Sequence, residues 1–346
     1  MPAELGRRIA EVEAAVARFD EAQSARGYDL PALLLRSESS SSSQIERLTS
    51  SVRNVALAEL TDKVPANAFL IAGNVAAMRE ALRQEGPAGI GSICAIHDTL
   101  MARTAEQKGL RSEQVWIGGA PYSPHGADFV PPCAARVPEC LEDLCEFGER
   151  EDVSPVAKAA VFHAQFETIH PFTDGNGRTG RALLHRMLVR DEVLRYSTLP
   201  VSAGLLHDME SYMDALGAYH EGHIEPIIRC LADALELAVV IGSRIAADMD
   251  EVLEEWREAN TDRAGSASHR LPALLVTQPV VNAAYVAGCL GISERAARDL
   301  IETACERGIL ARIGNAKRGV FYQASALLEI LEEASSLEGI RRIVVL

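Results

Sequence analysis

The sequence contains no run of apolar residues approaching the roughly eighteen that a membrane-spanning helix needs, and no such helix is expected. The N-terminus lacks the apolar core of a signal peptide. Its residues Leu5, Ile9, Val12, Val16 and Phe19 step by four and three, the pattern of one helix face. The expected location is therefore the cytoplasm, with no membrane partner. Aromatic residues make up only 5% of the chain, while alanine is plentiful, which favours helix. The seven cysteines are odd in number, scattered, and include no CxxC pair. That pattern speaks against a disulfide framework or a zinc site and for reduced thiols. Positive charge is also scarce: 34 Lys and Arg stand against 49 Asp and Glu, a net charge of −15. Phosphate would repel such a molecule, so the chain as a whole does not coat nucleic acid, although a local basic surface stays open.

What remains is an ordinary globular balance, 48% hydrophobic and 24% charged, in a chain of 346 residues, enough for two or three domains. Residues 1–36 are predicted as helix and then, over Tyr28 to Arg36, as extended chain. A serine run follows, Ser37 and Ser39 to Ser43. It reads either as a linker or as the cap of a helix carrying Ile45, Leu48, Val52 and Val55, and the local pattern leaves both open. Residues 64–110 predict two or three helices with turns at Gly86-Pro87 and Gly109. Gln114 to Ile117 is β-prone and closed by Gly118-Gly119. Pro121, Pro124, Pro131 and Pro132 then forbid regular structure, so a hairpin and an extended arm are expected. Helix returns over Pro138 to Glu146. Ser154-Pro155 is a helix start, and Phe162, Phe166 and Ile169 make a buried stripe ending near His170. Another helix is predicted from about Gly177 to Leu194, and more helices over 202–257. The polar stretch Ala259 to His269 reads as an interdomain linker. The chain thus divides into an N-terminal helical region (1–85), a core (86–257), a linker (258–270) and a C-terminal module with its tail (271–346).

The chemistry is concentrated between two helices, in His170-Pro171-Phe172-Thr173-Asp174-Gly175-Asn176-Gly177-Arg178-Thr179-Gly180-Arg181. Pro171 ends the first helix and leaves the histidine at its C-terminal edge. Gly175 and Gly177 flank Asn176 in a turn able to take positive φ angles and aim successive N–H groups at one point, an anion nest. The nest opens the next helix, whose dipole also favours negative charge. Arg178 and Arg181 share one face there, and guanidinium forks suit phosphate oxygens. Asp174 beside a phosphate site predicts a magnesium ion bridging the two. His170 is placed as general base near neutral pH. A transition metal on His170 and Asp174 is the competing reading, but no third ligand is evident.

The segment resembles the Fic motif, H-P-F-x-D/E-G-N-G-R-x-x-R, and matches it at every fixed position. The likeness extends upstream over His163-Ala164-Gln165-Phe166-Glu167-Thr168-Ile169 and, more loosely, over most of residues 30–250. It implies a mainly α fold: a Fic helical core with a small β-hairpin flap. It also implies transfer of AMP from ATP to a Ser, Thr or Tyr hydroxyl of a protein, with magnesium. By resemblance His170 deprotonates the hydroxyl, and Asp174 holds the metal. Gly175, Asn176, Gly177 and Arg178 bind the phosphates, and Arg181 contacts the terminal phosphate. Val115-Trp116-Ile117-Gly118 looks like the family's flap, which takes the target segment by β-addition. Ser42-Ser43-Gln44-Ile45-Glu46 resembles the inhibitory motif S/T-x-x-x-E-G/N, in which Glu46 would pair with Arg181 and spoil the ATP pose. The departure is Arg47, where the family has Gly or Asn.

Asn282 to Gly308 reads helix, turn, helix, and Leu310 to Tyr322 a β-prone hairpin, together a winged helix-turn-helix as found appended to many Fic proteins. Arg295 and Arg298 fall on the would-be recognition helix, Lys317 and Arg318 on the wing. Over 271–328 six Lys and Arg face four Asp and Glu, so both DNA and protein contact are open. Alternatives within the fold are UMP transfer, phosphocholine transfer, phosphorylation or AMP removal. Outside enzymes, the alternative is a DNA-binding regulator that senses nucleotide. Tyr212 or Tyr219 would line a base pocket, the target includes the protein itself, and a homodimer is the family habit.

Overall fold

The computed structural model describes residues 2–104, 108–120, 123–315 and 319–345. The chain opens with α1 (Ala3–Gln23), α2 (Leu30–Ile45), α3 (Val52–Ala58), α4 (Ala66–Arg83) and α5 (Ile90–Leu100). After an irregular stretch come α6 (Val137–Gly148), α7 (Pro155–Ile169), α8 (Asn176–Arg190), α9 (Val201–His207), α10 (Met209–His220) and α11 (Glu225–Ala259). The C-terminal part holds α12 (Leu271–Thr277), β1 (Val280–Val281), α13 (Ala283–Leu290), α14 (Glu294–Glu306), β2 (Ala311–Ile313), β3 (Phe321–Gln323), α15 (Ser325–Ser335) and α16 (Leu337–Val345). No helix among the described residues is long and apolar enough to cross a membrane.

The stripe expected on α1 is buried: Leu5, Ile9, Val12, Val16 and Phe19 are each at most 5% exposed. Burying such a side chain contributes roughly 1.5–3 kcal/mol. They pack on α11, whose 35 residues run about 52 Å along the back of the molecule. In front, α7 and α8 pack side by side, and the turn joining them carries the motif. The capping read from sequence is present: Ser154 Oγ accepts from Ala157 N at 3.4 Å with Pro155 in the first turn.

The N-terminal expectation is corrected. Leu30 to Arg36 is helical, not extended, because Asp29 caps α2 through Ala32 N at 3.0 Å and Pro31 sits in its first turn. The serine run is neither linker nor cap. It is the middle of α2, and Ser37 to Ser43 are buried, Glu38 included. The helix packs against α4, α8, α9, α12 and α15. With almost no face in water there is no amphipathic stripe to read, and the short serine side chains are packed among these neighbours with Arg36 and Glu38. The helix read as carrying Ile45, Leu48, Val52 and Val55 is two: α2 ends at Ile45, α3 carries Val52 and Val55, and Leu48 lies between them; α8 ends at Arg190 rather than near Leu194.

The C-terminal helix-turn-helix is as expected: Asn282 and Ser293 cap α13 and α14, and Gly291 turns between them at φ 66°. A three-stranded antiparallel sheet in the order β1-β3-β2 follows from Val280↔Gln323 and Arg312↔Tyr322 pairings. Lys317 and Arg318 lie outside the described residues. This part packs on α2: Arg36 donates to Thr277 O at 3.0 Å, Ser37 Oγ to Ala334 O at 3.2 Å and Gln44 Nε2 to Ser335 O at 2.5 Å.

Candidate active site

His170 ends α7 in the left-handed conformation, φ 49° and ψ 62°, and its N–H returns to Phe166 O at 2.9 Å. Its Nδ1 lies 3.3 Å from Glu167 O. A carbonyl only accepts, so Nδ1 carries the proton and the lone pair is on Nε2, the correct tautomer for a base. Burial lowers the imidazole pKa to about 4; the Glu167 contact, Glu46 and Asp174 oppose this, and Arg111 adds to it. The ring is therefore neutral at ordinary pH.

Gly175, at φ 77°, turns the chain into α8. The first intrahelical bond is Thr179 N to Gly175 O at 3.0 Å, which leaves the N–H groups of Asn176, Gly177 and Arg178 unspent by the helix. The Asn176 side chain does not face a ligand. It closes the loop on itself, accepting from Phe172 N and donating to Phe172 O, both at 2.9 Å. What it could offer an anion is its backbone N–H. Arg178 is 3% exposed, with Nε and Nη1 unpartnered and Nη2 3.3 Å from Asp174 Oδ2. The Asp174 side chain is 57% exposed at the lip. One carboxylate beside phosphate oxygens suits magnesium, which keeps most of its waters. A transition-metal site does not fit, since no group of three His, Cys, Asp or Glu is gathered among the described residues.

Arg181 is 2% exposed and engaged. Its Nε donates to Ser42 Oγ and its Nη2 to Ser42 O and Glu46 Oε1, each at 2.8 Å. A methyl group built on Gly177 would fall 2.0 Å from Glu46 Oε1, so the carboxylate lies over the first turn of α8, where an anion would sit. Burial disfavours the Glu46 charge, yet Arg181, then Arg178 and His170, hold its pKa below the ordinary value. The end of α2 that delivers Glu46 is a Schellman turn: Leu48 N bonds Ser43 O at 2.9 Å and Arg47 N bonds Gln44 O at 2.8 Å. Arg47 holds its left-handed position at φ 60°. Glycine or asparagine suits that conformation better than arginine does.

The segment expected as a flap is pinned by single bridges. Ile117 N donates to Phe129 O at 2.9 Å, and Asp128 N to Ile117 O at 2.8 Å. Trp116 Nε1 donates to Ala120 O at 2.9 Å, and Gly118 turns at φ 74° where a side chain would strike Asp128. Val115 leads into this bridge, and Ile117 is 36% exposed. Tyr212 is buried with its hydroxyl 2.7 Å from His163 Nε2, and the half-buried Tyr219 donates to Gln165 Oε1 at 2.8 Å.

Three groups were not anticipated. His97 on α5 stacks on Phe172 at 3.7 Å and bonds Asp174 O through Nε2 at 3.0 Å, fixing the loop from behind. Glu167 is half-buried beside Gly180, its Oε1 shut away from water without a partner; desolvation raises its pKa to about 8, Arg181 opposing and Glu46 adding. Arg111 grips the chain around His170. Only the position of Glu167 three residues before His170 hinted at any of them.

Residues 90–188 match the Fic/DOC family. The chain carries a Fic domain. A probable protein adenylyltransferase of Aquifex aeolicus, aq_aa38, is 37% identical over 100 residues, 29% of each chain. The protein adenylyltransferase fic-1 of Caenorhabditis elegans is 27% identical over 169 residues, 47% of this chain and 30% of that one. The protein adenylyltransferase Fic of Nematostella vectensis is 29% identical over 201 residues, 53% of this chain and 43% of that one. The chain thus spans less than half the length of these relatives. In fold, a Fic family protein from Desulfovibrio desulfuricans G20 superposes with a TM-score of 0.61 at 22% identity, over 94% of this chain and 96% of that one. The Fic domain therefore sits within an arrangement of helices that is shared along nearly the whole chain.

Proposed function

We propose that this protein is an adenylyltransferase that moves AMP from ATP to a Ser, Thr or Tyr hydroxyl of a protein, itself included, and that Glu46 restrains it. His170 Nε2 takes the hydroxyl proton, the oxygen attacks the α-phosphorus, and the bond to the β-phosphate breaks, releasing pyrophosphate. Electrostatic positioning of the phosphates by the turn, Arg178 and Arg181 supplies the rest. Magnesium, held by Asp174, would neutralise phosphate charge. The flap residues Val115 to Gly118 would lay the acceptor alongside.

One observation carries this reading: Arg181, in the motif position for the terminal phosphate, is bonded to Ser42 and Glu46 at 2.8 Å. One guanidinium edge cannot fork to a carboxylate and a phosphate together. The test is label transfer from α-labelled ATP to protein. Glu46→Gly should transfer more than the unaltered chain, and Arg181→Ala should transfer none. Equal transfer by Glu46→Gly and the parent would remove the restraint from the account.

The C-terminal part we read as a winged helix that contacts protein. Helix α14 carries Glu294, Asp299, Glu302 and Glu306 against Arg295 and Arg298, and Arg298 is paired with Glu294 at 2.8 Å. That face offers DNA phosphates little attraction. Salt-dependent binding to random duplex DNA at micromolar affinity would reverse the assignment.

A further inference from the structure

Arg111 is 3% exposed, yet among the described residues its side-chain hydrogen bonds go to main-chain carbonyls and to no carboxylate. Three belong to the end of α7: Nε donates to His170 O at 2.8 Å, Nη2 to Ile169 O at 3.3 Å, and the main-chain N of Arg111 to Pro171 O at 2.9 Å. Two belong to the legs of the flap: Nη1 donates to Glu113 O at 3.0 Å and Nη2 to Pro132 O at 2.5 Å. The residue therefore spans the segment before the flap, the segment after it and the turn that presents the imidazole. His170 also needs such support, because a left-handed non-glycine residue persists only where its surroundings over-determine it. Among the described residues this buried cation has no ion-pair partner, and the fork of five donors is what a lysine could not supply.

We propose that Arg111 is a positioning residue that ties the flap to the end of α7 and so fixes where an acceptor hydroxyl lies relative to His170 Nε2. It acts through main-chain atoms and touches neither phosphates nor acceptor. The nest, Arg178 and Arg181 lie on α8 and take no bond from it, so nucleotide binding does not depend on it. The inference deepens the adenylyl-transfer reading and rests on it for its kinetic part alone.

The experiment places Arg111→Lys in the full chain carrying Glu46→Gly. Three quantities are measured: amide exchange at Ile117 and Asp128, equilibrium ATP affinity, and kcat for AMP transfer. Lysine keeps the charge and most of the volume but cannot reach both flap legs and the helix end. Exchange at the two flap amides should quicken by about tenfold or more, as for loss of a charged hydrogen bond. ATP affinity should hold within about twofold, and kcat should fall by about 10²-fold, the usual penalty for misplacing a reacting group by an ångström. Unchanged flap exchange, or ATP affinity falling in step with kcat, overturns the proposal. Should the lysine form not fold, Arg111→Gly with added guanidinium replaces it. Recovery of slow exchange and of kcat over one guanidinium range supports the clamp, and recovery of neither overturns it. The exchange measurement does not use AMP transfer. If Glu46→Gly alone transfers nothing, the adenylyl-transfer reading fails, while exchange still decides whether Arg111 holds the flap.

Discussion

Glu38 on α2 and His185 on α8 face each other across 2.9 Å, each side chain only 2% exposed, one helical turn along α8 from Arg181. Glu38 also accepts from Ser202 N at 2.7 Å and from Ser202 Oγ at 2.5 Å. A single buried carboxylate thus joins α2, α8 and α9, and it does so on the helix that ends in Glu46. The contact between Glu46 and Arg181 is the partly exposed end of a longer fastening. Its buried part sets where α2 lies, and its exposed part is the one a nucleotide would displace.

Removing that carboxylate strips Ser202 of its acceptor and leaves His185 facing a void. Glu38→Ala should cost about 3 kcal/mol in denaturant unfolding, within the range for orphaning buried polar groups. A loss under about 1 kcal/mol would mean that α2 is held mainly elsewhere.

Arg47 tests the turn that follows Glu46. A non-glycine residue at positive φ costs roughly 1–2 kcal/mol, and glycine returns part of this through the freer unfolded chain. Arg47→Gly should therefore stabilise the protein by about 0.5–1 kcal/mol, read as a shift in the unfolding midpoint. It should also lower background AMP transfer, since the turn that holds Glu46 becomes firmer. Destabilisation would show that the arginine side chain is used in a way the turn geometry does not reveal.

Glu167 gives a signature in the pH dependence of stability. Its folded pKa, about 8, lies above its unfolded value, so its contribution is fully present below about 4.5 and is lost as pH rises through 8. Glu167→Gln carries no such loss. The difference in stability between the glutamine form and the parent should grow in favour of glutamine between pH 5 and 8, measured by unfolding at several pH values. A constant difference would mean that the carboxyl is ionised throughout.

His170 makes the opposite kind of statement. Burial sets its pKa near 4, and removing Glu46 takes away a charge that raises it. The base should stay neutral across the physiological range, and the acid limb of kcat/KM for Glu46→Gly, which reports the free protein, should fall at or below about pH 4. A kcat/KM limb near 6.5, the ordinary histidine value, would place the imidazole in water in the free protein.

The parts of this molecule that were legible in sequence are those set by local rules. The stripe Leu5 to Phe19, the Ser154-Pro155 start of α7 and the Gly291 turn each need only neighbouring residues to specify them. The turn from His170 to Arg181 was legible because glycine, proline and paired arginines have few other uses at that spacing. Helix α2 was not, since its polar serines are buried by helices distant in sequence, and its start at Asp29 and Pro31 was the one local signal. Arg111 and His97 were invisible for a similar reason. Apart from Glu113 and Pro132, their partners are main-chain carbonyls and an aromatic face some sixty to seventy-seven residues away, which no local pattern records.

Intact-mass spectrometry tests the central claim most directly. The Glu46→Gly chain, incubated with ATP and magnesium, should gain the mass of one or more adenylyl groups, and the same chain with His170→Ala added should gain none. No gain in the first, or equal gain in both, would contradict an AMP transfer that depends on His170 and is restrained by Glu46.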